Sequence, residues 1–440
     1  MREIFKKIIV EWWEKNLPPL IEREIPWKIT SDILAIAGPR RVGKTYLIFQ
    51  IIKKLLQNHN REEILFIDFE DNRLVGLTDK NLDDLFIAYR ELTDKELKYI
   101  FFDEIQVVDH WSTFVRRLHN TQKYHIIISG SSSKLLSKEI ATELRGRYHS
   151  IFVSPFSFSE FISFRGLEYS PKIDYSELRG KFLRIFQEYL VNGGYPEVIK
   201  EESIEEKKTK MRAYYETTFY KDLVERHKIT NYDLLEQLMN YLLNNCSRRF
   251  SVTSFEKILQ MKGIKVSKKT ISLYLKYLEE AFFIYSVEEF SYSAKNRMMR
   301  PRKIYLIDNA FVTFLSIQFS PDKGKLLENV VLGHLKRQSP EIFFYNEQKE
   351  CDFVVKQDQK IILAIQVCYE LTEENKKREL KGLLEALDYF KLKEGLILTY
   401  DQENSFKVDN KMIKVMPVWK WLLQKPKVKE TSRHNVVTNQ

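Results

Sequence analysis

The sequence predicts an α/β fold whose first part is a doubly wound parallel sheet. Between residues 31 and 150, short apolar runs alternate with helical segments, and this alternation is typical of a parallel sheet covered by helices on both faces. A glycine-bounded loop separates the first run from the helix that follows it. The pattern changes near residue 155, so further regions are expected after this core.

Four apolar runs predict the strands of this core. Each is short and almost continuous, as expected of strands that are buried on both faces. The runs are Ile33–Ala37, Ile64–Phe69, Tyr99–Phe102 and Ile126–Ile128. Because the N-terminal residues precede the first run, the core is expected to span residues 1–154 with an N-terminal extension.

The loop Gly38–Thr45 has the spacing of a phosphate cradle. It joins a strand to a helix, so its N–H groups and the positive end of the helix dipole can face the phosphates of a nucleoside triphosphate. Lys44 would add a mobile charge, and the Thr45 hydroxyl could hold Mg²⁺. The residues predicted to bind the nucleotide are Gly38, Pro39, Arg40, Arg41, Val42, Gly43, Lys44, Thr45 and Tyr46.

Two acids, Asp103 and Glu104, end the third apolar run. A buried parallel strand delivers such acids to the carboxyl edge of the sheet, beside the phosphate loop. Asp103 would bind the magnesium through water, and Glu104 would orient the water that attacks the terminal phosphate. The alternative is an ordinary core strand capped by surface acids, but the complete glycine loop upstream favours the site.

The fourth run ends in small polar residues, and two arginines follow it. Ser131, in preference to Ser129, is predicted to sense the terminal phosphate, although a serine here could simply cap a helix that begins near Lys134. Arg145 and Arg147 are candidates to stabilise charge on the transferred phosphoryl group, from the same or a neighbouring subunit. Alternatively, each is a surface arginine paired with a local acid.

Length and composition agree with a multidomain protein of the cytoplasm. The chain has 440 residues and a formal charge of +10, which predicts two to four domains and allows nucleic acid as a partner. It contains no uncharged apolar stretch of the roughly eighteen residues that a bilayer crossing needs. The three cysteines have neither disulfide nor metal-ligand spacing. We therefore expect a cytoplasmic protein without a membrane partner.

Residues 155–229 are predicted to form a helical lid over the nucleotide. The paired glycines and proline of Asn192–Pro196 mark a tight turn within it. A lid that packs differently with and without the terminal phosphate would convert hydrolysis into movement.

Residues 230–310 are predicted to form a winged helix. Three helices, Leu234–Asn244, Thr253–Met261 and Ser267–Glu280, precede a strand pair with a basic segment between its strands. The third helix would enter a major groove and the wing would contact phosphates. The expected DNA contacts are Lys268, Lys269, Arg297, Arg300 and Arg302, and Lys303 belongs to the same basic region. The alternative is a protein-packing module with a solvated basic face.

Residues 311–425 have the element order of a metal-dependent phosphodiesterase, and the tail 426–440 is predicted to be disordered. Glu328 on a helix and Asp352 on a strand are candidate metal ligands. On the next strand, however, Gln366 stands where a second acid belongs and Cys368 where a lysine belongs. Neither is a good substitute, so this region is predicted to be an inactive scaffold.

In their order along the chain, these motifs resemble the archaeal and bacterial AAA-plus ATPases that carry a winged helix and a domain similar to PD-(D/E)xK nucleases. The matching segments are Gly38–Thr45, Phe102–Gln106, Ser129–Ser133, Leu144–Arg147, Pro155–Phe161, Asn192–Pro196 and Glu350–Phe353. The resemblance implies ATP and Mg²⁺ as cofactors and ATP hydrolysis as the activity.

The resemblance does not identify the work that hydrolysis performs. One hypothesis is a DNA-associated switch or motor that uses the winged helix. The others are an ATP-gated module that binds a protein partner and an ATP-controlled, metal-dependent nuclease. A second copy of the chain is a further candidate partner.

Overall fold

The computed structural model describes residues 1–131, 142–144, 146–317, 322–338 and 341–424. The chain divides into two compact units, Met1–Ser154 and Pro155–Gln440. The predicted separation of the second unit into lid, winged helix and nuclease-like domain stays a prediction. The tail 426–440 lies outside the described residues.

The first unit alternates helices and strands. Its helices are α1 (Arg2–Glu14), α2 (Lys44–Leu55), α3 (Leu82–Leu92) and α4 (Trp111–Asn120). Its strands are β1 (Ile33–Ala37), β2 (Ile64–Asp68), β3 (Tyr99–Asp103), β4 (His125–Gly130) and β5 (Tyr148–Phe152).

These strands form a parallel sheet in the order β2-β3-β4-β1-β5. Since β4 lies between β1 and β3, the loop after β1 and the acids after β3 meet at one edge of the sheet. The strand cores of β1, β3 and β4 are almost fully buried. The α/β class predicted from the apolar runs is confirmed.

The N-terminal extension packs on this sheet. Helix α1 buries one face through Phe5, Ile9 and Trp12, and the Trp12 indole nitrogen donates to the Ile64 carbonyl oxygen at 2.9 Å. Because the buried indole N–H has a partner, Trp12 fixes the extension to β2.

The second unit begins with helices. They are α5 (Phe158–Phe164), α6 (Leu178–Asn192), α7 (Pro196–Lys200), α8 (Ile204–Thr217) with a π-helical continuation (Thr218–Glu225), α9 (Tyr232–Asn244), α10 (Val252–Met261), α11 (Lys268–Glu280) and α12 (Ala294–Met299). Further along the chain are α13 (Asn309–Leu315), α14 (Lys323–Gln338), α15 (Glu373–Tyr389) and α16 (Val418–Leu422).

The strands of this unit join one mixed sheet in the order β13-β14-β12-β11-β10-β9-β7-β8-β6. They are β6 (Arg248–Phe250), β7 (Ile284–Glu289), β8 (Arg302–Leu306), β9 (Ile342–Asn346), β10 (Glu350–Gln357), β11 (Lys360–Val367), β12 (Glu394–Thr399), β13 (Asn404–Val408) and β14 (Lys411–Pro417). Strand β7 pairs with β9 in parallel, so pairing crosses the predicted boundary at residue 310. The predicted basic wing contains helix α12.

The turn Asn192–Pro196 is held by a buried carboxylate. The Gly194 N–H donates to Asp308 at 2.8 Å, and a Cβ on Gly193 would lie 1.6 Å from the Asp308 Oδ1 atom. A Cβ on Gly194 would lie 2.4 Å from the Phe156 carbonyl oxygen. Both glycines are therefore required by close approach as well as by the turn.

Among the described residues, no helix combines the length and apolar character that crossing a bilayer demands. The three cysteines, Cys246, Cys351 and Cys368, are free and buried.

Candidate nucleotide site

The phosphate loop of the first unit is shaped by its two glycines. Gly43 has a φ of 93° and immediately precedes α2, so its left-handed backbone turns the chain into the helix. A Cβ on Gly38 would lie 2.1 Å from the Val153 carbonyl oxygen. The loop therefore packs directly on the backbone that leaves β5, and the first N–H groups of α2 remain available at the sheet edge.

Lys44 is the first residue of α2 and its side chain is buried. The ammonium lies 2.9 Å from the Glu104 Oε1 atom and donates to the Pro39 carbonyl oxygen at 3.1 Å. The lysine thus lies across its own loop and neutralises the acid that follows β3.

Thr45 and Asp103, the two predicted magnesium ligands, are in direct contact. The Thr45 hydroxyl donates to Asp103 Oδ2 at 2.5 Å, while the Ser129 hydroxyl donates to the other Asp103 oxygen. Burial, with a contribution from the charge of Glu104, raises the pKa of Asp103 to about 6. A threonine hydroxyl beside a carboxylate supplies the oxygen donors that Mg²⁺ prefers.

Glu104 is held from three directions. Besides Lys44, the Gln106 amide donates to Glu104 Oε2 at 2.6 Å and the Ser131 N–H donates to the same oxygen at 3.1 Å. Burial alone would raise the pKa of Glu104, but the positive charge of Lys44 outweighs it and lowers that pKa to about 2. The acid is therefore ionised, as a residue that orients water must be.

The structure thus brings Lys44, Thr45, Asp103, Glu104 and Ser131 together at the edge of the sheet. Ser131 contacts Glu104 through its backbone, and Ser129 makes the side-chain contact with Asp103 that sequence reasoning did not predict. Ser129 lies on β4 beside β3, so its position in the strand was the available signal. The helix expected after Ser131 lies outside the described residues.

Arg23, in the N-terminal extension, supports the loop and was missed. Its buried guanidinium donates to the Val42 and Ser154 carbonyl oxygens, each at 2.7 Å. Its backbone exchanges hydrogen bonds with the side chain of Gln50 on α2. One guanidinium therefore connects the phosphate loop to the last residue of the first unit.

The other predicted nucleotide-binding residues of the loop differ in their contacts and exposure. Arg40 pairs with Glu70, beyond β2, at 2.5 Å. Arg41 has a φ of 66°, Val42 is fully buried and Tyr46 is partly exposed on α2.

Of the two candidate phosphate-contacting arginines, Arg145 lies outside the described residues. Arg147 precedes β5, and its side chain donates to Asn120 at 2.6 Å. Its carbonyl oxygen accepts from Ile33, the first residue of β1, so it lies at the amino edge of the sheet. The loop lies at the opposite edge, about 16 Å away for a five-residue strand. The structure therefore does not bring Arg147 to the phosphate loop of its own subunit, and its role stays a prediction.

The predicted DNA contacts of the second unit differ in how they are paired. Lys268 and Lys269 are exposed at the start of α11, with Lys268 3.7 Å from Glu256. The arginines are paired with acids of β7: Arg297 and Arg302 with Glu288, and Arg300 with Glu289. The positive charge expected of the wing is therefore largely neutralised.

The acids expected in the nuclease-like region do lie together, but with an additional cation. Glu328 and Asp352 both contact Lys303, which the sequence analysis counted in the basic region. Gln366 lies beside them and donates to Glu379 at 2.8 Å. Lys303 is buried, so this member of the basic region belongs to the cluster and contributes no surface charge.

Comparison with known proteins gives matches along most of the chain. Residues 30–162 match the AAA domain family, residues 183–322 match a domain of unknown function, DUF8612, and residues 323–421 match another, DUF4143. The solved Walker-type ATPase PABY2304 of Pyrococcus abyssi is similar over 72% of this chain and 95% of its own, with 16% identity and a TM-score of 0.39.

Two curated relatives extend over nearly the whole length. An uncharacterized protein of Haemophilus influenzae is 27% identical over 92% of this chain and 97% of its own. The uncharacterized protein MJ1544 of Methanocaldococcus jannaschii is 39% identical over 96% of this chain and 95% of its own. The chain therefore belongs to the same family as MJ1544 and carries an AAA domain at residues 30–162.

Proposed function

We propose that this protein binds ATP and hydrolyses it in the first unit. The observation that carries the proposal is the contact of the loop lysine with the acid after β3, Lys44 to Glu104 at 2.9 Å. When a triphosphate binds, Lys44 can leave Glu104 and contact the phosphates instead. The site then has a cation on the phosphates and a free carboxylate to orient water, and hydrolysis uses both. The AAA domain match covers both residues.

Binding begins with the exchange of partners by Lys44. Phosphate oxygens entering above the N-terminus of α2 meet its unpaired N–H groups and the positive end of its dipole. The lysine ammonium then moves from Glu104 to the phosphates. Because the pair is buried, its separation is favourable only when the triphosphate replaces the lost negative charge.

The residues at the loop fit a magnesium ion. Thr45 and Asp103 already share a hydrogen bond, and both offer hard oxygen donors. Mg²⁺ bound there would neutralise charge on the phosphates. Ser129 fixes the second carboxylate oxygen of Asp103, so the carboxylate has one preferred orientation.

Once Lys44 has moved, Glu104 is the group that acts on water. Gln106 and the Ser131 N–H continue to hold its Oε2 atom, which leaves Oε1 free to accept a hydrogen bond from the attacking water. A phosphoryl-transfer site of this kind works mainly by positioning and charge.

The test is phosphate release by wild type, Glu104→Gln and Lys44→Ala, with binding of a fluorescent ATP analogue measured in parallel. Glu104→Gln should still bind the analogue and turn over about 10² to 10⁴ times more slowly. Lys44→Ala should bind weakly and not turn over. Glu96→Gln, an exposed acid of the same unit, is the matched control. Equal turnover by wild type and Glu104→Gln would exclude the site.

For the role of ATP hydrolysis, we propose a DNA-associated switch in which α11 is the helix that contacts DNA. The supporting observation is local: α9, α10 and α11 precede the antiparallel pair β7 and β8, and α11 exposes Lys268 and Lys269 at its start. The competing proposal is a protein partner, which the pairing of the wing arginines with glutamates favours.

Duplex DNA separates these two proposals. If α11 reads DNA, the duplex should raise the ATPase rate at low salt, and the effect should fall as salt rises. Lys268→Ala with Lys269→Ala should weaken it, whereas Lys265→Ala, just outside the helix, should matter less. An ATPase rate that duplex DNA leaves unchanged at every salt concentration would favour the protein partner.

A further inference from the structure

The second unit contains a buried ammonium surrounded by carboxylates. Lys303 lies on β8 and is 1% exposed. Its Nζ atom lies 2.5 Å from Glu328 Oε1, 2.8 Å from Glu350 Oε1 and 3.0 Å from Asp352 Oδ1. An ammonium has three hydrogens to donate, and here each of the three carboxylates can receive one.

The second oxygen of each carboxylate, which does not contact Lys303, also accepts a hydrogen bond. Lys325 donates to Glu328 Oε2 at 2.8 Å, Arg249 donates to Glu350 Oε2 at 2.6 Å and the Val367 N–H donates to Asp352 Oδ2 at 2.9 Å. The Tyr305 hydroxyl adds a bond to Glu328. All six carboxylate oxygens therefore have a donor, and three acids are balanced by three cations.

This balance explains why the buried charges are tolerated. Burial favours the neutral amine, but the carboxylate of Glu328, with those of Asp352 and Glu350, outweighs it and holds the pKa of Lys303 well above its ordinary value. A buried ion is stable only when its partners satisfy its hydrogen bonds as well as its charge. Lys303 meets both conditions.

We propose that the Lys303 ammonium is the resident cation of this carboxylate site and occupies the position that a divalent metal would take. Glu328 and Asp352 are the acids expected to hold a metal in a phosphodiesterase of this element order, and the ammonium lies between them. Metal–oxygen distances of about 2.1 Å for Mg²⁺ cannot form around a point already filled by nitrogen. The residues present therefore do not fit a magnesium ion.

Two of the three carboxylates are also shielded from a large substrate. Glu328 and Asp352 are 2% and 5% exposed, so a DNA phosphate has no open approach to this pair. Lys303 comes from the strand β8, whereas Glu328 and Asp352 come from α14 and β10. The ammonium therefore connects β8 to the C-terminal part of the sheet, which gives it a structural role.

The experiment measures Mn²⁺ binding to the full chain in the absence of nucleotide. Calorimetry and water-proton relaxation are the two readouts. Lys303→Ala leaves three acids around an open position and should bind Mn²⁺ at least about tenfold more tightly than wild type. Lys325→Ala, which removes a neighbouring cation but keeps Lys303, is the matched control and should show no such gain. Lys303→Ala combined with Asp352→Asn should lose the gain.

If Lys303→Ala binds Mn²⁺ no more tightly than wild type, the proposal is overturned. The thermal unfolding midpoint of Lys303→Ala should be lower than that of wild type and should rise again when Mn²⁺ is added. Should the variant fail to fold, Fe²⁺-directed radical cleavage of the wild-type chain gives a second measurement. No cleavage near Glu328 or Asp352 supports the proposal, whereas cleavage there, or Mn²⁺-dependent DNA nicking lost in Asp352→Asn, contradicts it. Because the experiment uses no nucleotide, a result that overturns the Lys303 proposal has no bearing on the proposed ATP site.

Discussion

The pairing of Lys44 with Glu104 makes a quantitative prediction about the nucleotide-free protein. Lys44→Ala removes the cation from a buried acid, and breaking such a pair typically costs about 3 to 5 kcal/mol. Glu104 keeps its bonds from Gln106 and Ser131, so the lower end applies. We expect Lys44→Ala to destabilise the first unit by about 3 kcal/mol.

Removing the acid as well should restore most of this loss. In Lys44→Ala with Glu104→Gln no buried charge is left unpaired, and the remaining cost is the bond to Pro39 and some packing, about 1 kcal/mol. The second substitution is therefore expected to recover about 2 kcal/mol of the loss, which is the part due to leaving Glu104 unpaired. A nucleotide that binds Lys44 must offset an energy of this size.

Hydrogen exchange of the full chain without nucleotide measures this recovery within the first unit. The most protected amides of β1 and β3 should exchange about 150-fold faster in Lys44→Ala and about fivefold faster in the double variant, at 1.36 kcal/mol for each tenfold change. Lys53→Ala, on the exposed side of α2, should exchange as wild type does. A double variant that exchanges as fast as Lys44→Ala would refute the electrostatic argument.

Three further predictions concern packing and protonation. Arg23→Gln should raise the KM for ATP about tenfold with little change in kcat in steady-state kinetics, because it loosens the loop without touching the reacting atoms. Gly194→Ala, whose Cβ would lie 2.4 Å from Phe156, should lower the melting temperature, whereas Gly180→Ala in the same unit, with open space around it, should not. Burial raises the pKa of Asp308 from 3.8 to about 6; the folded state therefore binds the proton more tightly, and this stability is present below about pH 4 and lost as the pH rises through 6. In urea unfolding, the advantage of wild type over Asp308→Asn should shrink by about 2 kcal/mol between pH 4 and pH 7.

The core of the nucleotide site could be predicted because its determinants are local. Gly43 must adopt a positive φ, and Gly38 must approach another backbone closely. Each requirement selects glycine at a fixed sequence spacing from Lys44, which makes the loop recognisable. Asp103 and Glu104 follow a continuous apolar run that is long enough for a buried strand. Parallel strands then bring these segments to one edge whatever the intervening loops contain.

The support of the site could not be predicted in the same way. Arg23 acts on Val42 and Ser154, which are 19 and 131 residues away in the chain. The residues between them carry no motif that specifies such contacts. A lone arginine in a polar extension predicts only a solvated side chain.

Charge is where sequence reasoning is least informative in this protein. Lys303 stands next to Arg302 in a basic segment, yet strand alternation sends neighbouring side chains to opposite faces. Arg302 is partly exposed and pairs with Glu288, whereas Lys303 enters the carboxylate cluster. The formal charge of +10 therefore overstates the positive surface of the second unit, because part of that charge is consumed inside it.

The same alternation connects the two proposals for the second unit. If Lys303 is the cation that replaces a metal, the strand that carries it cannot leave the sheet without removing the ammonium from two buried acids, Glu328 and Asp352. Strand β8 also pairs with β7 and β6, so the region of α9 to α11 is fixed to the C-terminal sheet. A partner recognised by α11, whether duplex DNA or a protein, would then bind a region that strand pairing and the Lys303 ammonium connect to the C-terminal sheet.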